Sequence, residues 1–294
     1  MTLLTSPYAH NLNLNKADSL PGHFGASVMS EHKGYALVTG ASSGIGAVYA
    51  DRLAQQGYDL ILVARNQQRL EGLAARLTAQ TRRDVQVVVA DLNQPDDLAR
   101  VAALLQDDKH ISLLVNNAGV GAGGTLLESS VEAMDAMILL NVLALTRLAK
   151  AAAGNFVEQG RGTIINIASV VAVAPTLLNG VYGATKAYVL AFSESLRHEL
   201  SDKGVNVHVV LPGATATEFF AAAGMSVDAL PKTMVMTTEK LVDAALAGLA
   251  QGEAVTVPSL PDSADWAAFE AARQALLPNL SRNEPAARYG VTTA

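Results

Sequence analysis

From Tyr35 onward the chain alternates short β-branched apolar runs with longer segments of helical periodicity. The runs are Ala36–Thr39, Leu60–Ala64, Val85–Val89, Leu113–Val115, Thr163–Ile167, Asn206–Leu211 and Ala254–Val257. Most are apolar at successive rather than alternate positions, the pattern of strands covered by helices on both faces of a parallel sheet. Between them the periodicity predicts helices over residues 45–56, 66–80, 95–106, 131–158, 182–202 and 238–250. Gly57 and Gly204 fall where helices commonly end, and Pro95 where a first helical turn tolerates proline. Sustained strand–helix alternation of this kind predicts an α/β fold: one doubly wound domain with a seven-stranded parallel sheet flanked by helices.

Both ends depart from the pattern. Residues 1–33 are polar and Asn-rich and read as an N-terminal arm; residues 34–258 carry the sheet domain. Residues 259–294 are punctuated by Pro261, Pro278 and Pro285. Within them Trp266, Phe269 and Leu276 lie near helical spacing, predicting a short amphipathic helix that docks by its apolar face.

Composition narrows the function. Of 294 residues, 50% are hydrophobic and only 16% charged, which excludes a disordered chain. The net charge is −6 and the Lys and Arg residues are scattered, so no basic stripe is available for a nucleic acid. There is no Cys, which removes disulfides, thiolate catalysis and Cys-ligated metals, and which fits a cytoplasmic location. The first residues lack the basic and apolar segments of a secretory signal. Ile164 to Thr185 is uncharged and long enough to cross a bilayer. Asn166, Ser169, Pro175, Asn179, Gly180 and Tyr182 make it too polar for that, and it reads as a buried strand running into a polar site, with no membrane partner.

The first strand leads into Thr39-Gly40-Ala41-Ser42-Ser43-Gly44-Ile45-Gly46. Three glycines at this spacing allow a tight turn and close approach of a pyrophosphate, while the next helix offers it free N–H groups and a positive end. Gly40, Ser42, Ser43, Gly44, Ile45 and Gly46 are therefore candidate cofactor contacts, in the manner of a Rossmann domain; the plainer alternative is a turn that only ends a strand. The second strand ends at Ala64-Arg65, with no acid for a ribose 2′-hydroxyl. Arg65 suits a 2′-phosphate, which favours NADP(H) over NAD(H), unless it is an ordinary surface arginine. After the third strand, Asp91 and Leu92 stand where side chains meet an adenine edge, although Asp91 is equally placed to cap the helix beginning near Pro95. The fourth strand runs into Asn116-Asn117-Ala118-Gly119, small and amide residues suited to a crevice wall.

Tyr182 and Lys186 are spaced to share one face of a helix. A nearby ammonium favours the phenolate and draws a tyrosine toward useful acid–base chemistry. Alone the pair is a weak motif. Ser169 lies upstream at the end of the fifth strand, and Asn141 sits among apolar neighbours, where an amide is costly unless hydrogen-bonded; it is catalytic or it bonds helix backbone.

Taken together, Thr39 to Gly46, Asn116 to Gly119, Asn141, Ser169, Tyr182 with Lys186, and Pro212-Gly213 with Thr217 resemble the short-chain dehydrogenase/reductase family over residues 34–258. The resemblance implies an Asn141–Ser169–Tyr182–Lys186 tetrad and no metal. Tyr182 would be the acid/base, and Ser169 would hydrogen-bond the reacting oxygen. Lys186 would lower the Tyr182 pKa and hold the nicotinamide ribose, and Asn141 would hold a relay water. Asn117, Ala118, Gly119, Pro212, Gly213 and Thr217 would lie against the cofactor. It implies a homodimer or homotetramer built through helices 131–158 and 182–202. It also makes the segment from Thr217 to Thr238 a substrate lid, here bearing Phe219, Phe220, Met225, Val227, Leu230, Pro231, Met234 and Met236. Such a lid suits a small apolar carbonyl or secondary alcohol, unless these residues pack only on one another. Two alternatives stand beside this oxidoreductase. A 3-oxoacyl-carrier-protein-type reductase would want basic residues at the site mouth for its acidic carrier, and none occurs between Lys109 and Arg147. A non-catalytic NADP-binding sensor would lose Tyr or Lys, and both are present.

Overall fold

A computed structural model describes residues 33–178, 180–224 and 226–291. The expected N-terminal arm therefore lies, apart from Lys33, outside the described residues, as do Asn179 and Met225. Seven strands form one sheet: β1 (Tyr35–Thr39), β2 (Asp59–Ala64), β3 (Val85–Val89), β4 (Ile111–Asn116), β5 (Gly162–Ile167), β6 (Val205–Val210) and β7 (Val255–Thr256). Their order is β3-β2-β1-β4-β5-β6-β7, and every neighbouring pair is parallel. The crossovers are α1 (Gly44–Gln55), α2 (Gln67–Thr81), α3 (Pro95–Asp107), α4 (Val131–Ile138), α5 (Leu145–Gln159), α6 (Gly180–Leu200), α7 (Phe219–Ala222) and α8 (Thr238–Ala250). The fold is the predicted doubly wound α/β Rossmann architecture.

The continuous apolar runs have the expected cause. Along β1, Leu37 belongs to a core layer with Val101 and Leu105 of α3 and Leu148 and Phe156 of α5. Its neighbours Ala36 and Val38 belong to the opposite layer, with Tyr49 and Leu53 of α1, Leu70 and Leu77 of α2 and Leu241 of α8. Successive side chains leave a strand on opposite faces, and here both faces are covered. Local chemistry sets the helix ends: the Asn66 side chain accepts from the Arg69 N–H at 3.0 Å to cap α2, and Gly160 at φ 64 closes α5.

Three predicted elements differ. The last strand is shorter than Ala254–Val257. The helix expected over 131–158 is interrupted by a π-helical turn, Leu139–Ala144, between α4 and α5. The whole span Val131–Gln159 is long and apolar enough to cross a membrane by length and composition, yet 44% of its most apolar window is buried, with Leu148, Ala149 and Phe156 on the sheet. The uncharged stretch from Ile164 is broken into β5, two 3₁₀ turns (Val170–Ala172 and Pro175–Leu177) and the start of α6. The C-terminal helix is α9 (Ser263–Gln274). Trp266 packs beside Val189, Leu190 and Leu211, and Arg273 pairs with Glu194 of α6 at 3.1 Å. Leu276 falls beyond the helix and is exposed, so it takes no part in that docking.

Candidate active site

A cleft of about 1790 Å³ opens at the carboxyl ends of the strands. That volume exceeds the common range for small-ligand pockets, about 300–1,000 Å³, and has room for a dinucleotide together with a second molecule. Its wall includes Gly40, Ser42, Ser43, Gly44, Ile45, Arg65, Asp91, Leu92, Asn117, Ala118, Gly119, Ser169, Tyr182, Lys186, Pro212, Gly213 and Thr217. Of the expected site residues, Gly46 and Asn141 do not line it.

At one end lies the glycine turn. Gly40 (φ +65) and Gly44 (φ +54) adopt left-handed backbone that favours glycine. Gly46 serves packing: a Cβ there would collide with the Gly40 carbonyl, and would come within 2.5 Å of the Asn117 amide nitrogen. The turn is held from β4. Asn117 Nδ2 donates to the Thr39 carbonyl at 2.9 Å, while Thr39 Oγ1 accepts the Asn117 and Ala118 N–H groups, each at 3.0 Å. Ser43 precedes α1 without a side-chain cap, so α1 presents uncapped N–H groups to the cleft. These features fit the pyrophosphate of a dinucleotide.

Arg65 is exposed at the end of β2 and lines the cleft. Asp91 lines the cleft and does not cap α3. Its carboxylate accepts the Asn93 N–H at 3.1 Å, the first residue before α3 proper is Gln94, and Asp97 reaches back to the Asp91 N–H at 2.8 Å. Sequence reasoning misses a clasp over this end of the cleft. Thr217 lies against Gly44, where a Cβ would come within 3.3 Å of its methyl group. The next residue, Glu218, accepts two hydrogen bonds from Arg69 of α2 at 2.7 and 3.0 Å, crossing the amino end of α1.

At the other end Tyr182 and Lys186 rise from α6, both buried. Ser169 shares a hydrogen bond with the Tyr182 hydroxyl. Burial pushes the Tyr182 pKa up to about 12, and the bond from Ser169 pulls the other way. Lys186, on the same face of α6, is bonded to strand backbone. Its Nζ donates to the Ile167 carbonyl at 2.9 Å and lies 5.8 Å from the centre of the Tyr182 ring, and burial lowers its own pKa to about 8. Asn141 sits in the π-helical turn. Its Oδ1 accepts the Val120 N–H at 2.9 Å, and its Nδ2 donates to the Val120 carbonyl at 2.8 Å and to Thr185 Oγ1 at 3.1 Å. Its side chain thus pins the loop after β4 to α6. Gly119 has no Cβ to intrude between Asn141 and Lys186; one would come within 3.1 Å of Asn141 Oδ1 and 3.4 Å of Lys186 Nζ.

Phe219, from the segment after Thr217, packs over this end. The Phe219 ring lies 5.5 Å from that of Tyr182 and rests on Gly121, where any Cβ would strike it. Phe220, Leu230, Met234 and Met236 also line the cleft, whereas Val227 and Pro231 do not. Two further lining residues, Lys232 and Lys240, are exposed cations that the sequence search near Lys109 and Arg147 overlooks.

The model of the short chain dehydrogenase family matches residues 34–227. The chain belongs to that family. Among solved structures, this dehydrogenase superposes on a short-chain dehydrogenase from Sphingobium yanoikuyae in complex with NADPH, with a TM-score of 0.85 and 47% identity over 87% of this chain and 99% of that one. It also resembles a bulky-bulky ketone specific alcohol dehydrogenase from Comamonas testosteroni, with a TM-score of 0.80 and 43% identity over 87% of this chain and 98% of that one. A very-long-chain 3-oxoacyl-CoA reductase from Anas platyrhynchos is 33% identical across 68% of this dehydrogenase and 66% of its own length. The chain is accordingly an oxidoreductase of Rossmann type with a nicotinamide nucleotide as its expected cofactor.

Proposed function

We propose that this dehydrogenase reduces an apolar ketone or aldehyde with NADPH, or oxidises the corresponding alcohol with NADP⁺, in the cytoplasm. The carrying observation is the hydrogen-bonded Ser169–Tyr182 pair at one end of a cleft whose other end is the glycine turn. The bound nicotinamide supplies or accepts the hydride. Tyr182 is a neutral phenol at physiological pH, because its pKa lies near 12, and so holds the proton that a carbonyl oxygen needs on reduction. Ser169 donates to that oxygen as negative charge develops. Lys186, 5.8 Å from the Tyr182 ring, holds the nicotinamide ribose and favours the phenolate, while Asn141 fixes the wall behind them. Gly40 to Ile45 and Thr217 hold the pyrophosphate. Arg65 takes the 2′-phosphate, Asp91 and Leu92 border the adenine, and Asn117, Ala118, Gly119, Pro212 and Gly213 flank the nicotinamide end. The NADPH complex of the Sphingobium relative and the ketone specificity of the Comamonas relative support this reading.

Exposed Ile138, Leu139 and Leu143 near the π-helical turn, with Tyr188 on α6, leave an apolar face that we assign to a homodimer or homotetramer contact. A second substrate reading, a 3-oxoacyl thioester, is favoured by Lys232 and Lys240 on the cleft wall and by the very-long-chain acyl-CoA relative. Turnover of aryl ketones and of 3-oxoacyl thioesters with NADPH separates the two. In either case Tyr182→Phe should abolish turnover while NADPH affinity stays within about threefold, a difference under 1 kcal/mol. Wild-type turnover in that variant would refute the mechanism.

A further inference from the structure

The chain around Phe219 is tied down on both sides. The residue before it, Glu218, accepts two hydrogen bonds from Arg69 of α2 at 2.7 and 3.0 Å. The Phe219 N–H donates to Thr217 Oγ1 at 3.3 Å, and its carbonyl accepts the Ala223 N–H at 3.0 Å. The Ala223 carbonyl in turn accepts the Gly123 N–H at 2.8 Å, which fastens the end of α7 to the loop after β4. The ring rests on that same loop. Gly121 has no Cβ, and the three atoms nearest to where one would stand all belong to the Phe219 ring. Phe220 meets the ring edge-on at 6.0 Å, and Tyr182 lies 5.5 Å away at 47°. Backbone ties and ring contacts together give Phe219 a defined place beside the reacting phenol.

That place bears on which product forms. The oxygen of a ketone must reach Ser169 and Tyr182, which share a hydrogen bond, and the hydride arrives from the nicotinamide side. Only a half-turn about the C=O axis then remains. It exchanges the two arms and presents the opposite face of the carbonyl to the hydride. A site selects one face when the two arms meet unlike walls, through the difference in transition-state binding between the two poses. The walls here are unlike. Phe219 sets an aromatic ring beside Tyr182, whereas Val120, Val171 and Leu178, the remaining cleft-lining members of the same apolar cluster, are aliphatic. An aryl arm gains a ring contact on the Phe219 side and none on the aliphatic one.

We propose that Phe219, seated on Gly121, decides which face of an aryl ketone is reduced. Tyr182 gives its proton to the carbonyl oxygen as the carbonyl carbon takes a hydride from NADPH, which leaves as NADP⁺; solvent reprotonates the phenolate. The configuration of the alcohol then records which arm lay against the ring. This assignment deepens the carbonyl-reduction reading above and rests on it.

Gly121 lies outside the left-handed backbone region, so Gly121→Ala strains no backbone and acts by pushing the ring aside. Acetophenone is reduced with NADPH and the two enantiomers of 1-phenylethanol are separated by chiral chromatography. The wild type should form one enantiomer in about tenfold excess or more, the scale on which pocket shape discriminates apolar groups. Phe219→Ala and Gly121→Ala should each lower that ratio about fivefold or more. In the double variant Gly121→Ala should change nothing further, because the ring it displaces is gone. A racemic product from the wild type, a ratio that survives Phe219→Ala whatever happens to the rate, or a Gly121→Ala effect that persists without the ring overturns the assignment. If the wild type neither reduces acetophenone nor oxidises 1-phenylethanol, the reduction reading fails. Saturation-transfer NMR then decides the Phe219 contact alone. A preference for binding one enantiomer of 1-phenylethanol that Phe219→Ala removes supports it, and no preference, or one that survives the substitution, overturns it.

Discussion

Lys186 should make the folded protein less stable than it would be with an apolar side chain, and the size of that cost should depend on pH. The side chain is 5% exposed, and burial brings its pKa from 10.5 to about 8. Below both values the folded state carries a charge it would rather lose, a cost of about 3 kcal/mol at 1.36 kcal/mol per pKa unit. Between about pH 8 and 10.5 the unfolded chain binds more protons at this site than the folded one, so the site's contribution to stability rises with pH. At pH 9.5 the remaining cost is about 1.5 kcal/mol. Lys186→Met keeps the length and apolar stem but removes the charge. It forfeits the hydrogen bond to Ile167, about 1 kcal/mol that does not vary with pH. Urea unfolding of wild type and variant, both without cofactor so that no ligand linkage intervenes, should therefore show the variant's relative advantage shrinking by about 2 kcal/mol between pH 7 and 9.5. A difference constant across that range would refute the assignment of a buried, charge-bearing lysine. Loss of turnover alongside gained stability would mark Lys186 as a residue kept for chemistry at the expense of the fold.

Three other outcomes are expected. Arg65→Ala should weaken NADPH binding by about 1.5–3 kcal/mol, the worth of charge-assisted hydrogen bonds, and leave NADH unchanged; titration showing equal losses for both would remove Arg65 from the 2′-phosphate. Glu218→Gln should speed NADPH release about two- to fivefold, because an exposed ion pair contributes about 0.2–1 kcal/mol, and high salt should speed wild-type release similarly; stopped-flow displacement with no change would show that the clasp does not retain the cofactor. Leu143→Asp, on the apolar face beside the π-helical turn, should reduce the mass in light scattering to that of one chain, and an unchanged oligomer would move the interface elsewhere.

The sheet is legible because burial on both faces writes itself into sequence as uninterrupted apolar runs, and the glycine turn because left-handed backbone and a tight contact at Gly46 each demand glycine. The π-helical turn is not legible. Apolar spacing continues smoothly from Met137 through Ala144 to Leu148, and only Asn141, polar among apolar neighbours, marks the place. That residue draws attention for the right reason, the cost of a buried amide, and its side chain is satisfied by Val120 and Thr185. Contacts between distant residues leave no local trace at all. Arg69 and Glu218 are 149 positions apart, and nothing near either announces the other. Lys232 and Lys240 show the same limit, since proximity to the site along the chain is a poor guide to proximity in space. The Tyr182–Lys186 spacing places both side chains on one helix face, but not the Ile167 carbonyl that claims the ammonium.

The tether from Asn117 to Thr39 and Gly40 constrains how the protein is made. The glycine turn and the first three strands come first along the sheet domain, but the side chain that holds the turn belongs to a residue 78 positions after Thr39. Strand β1 likewise has β4 as one of its two neighbours, a pairing that waits for the same stretch of chain. The nascent N-terminal half therefore emerges with a nucleotide cradle whose amide support is still missing. Until the fourth strand docks, the glycine turn lacks the side chain that holds it in place.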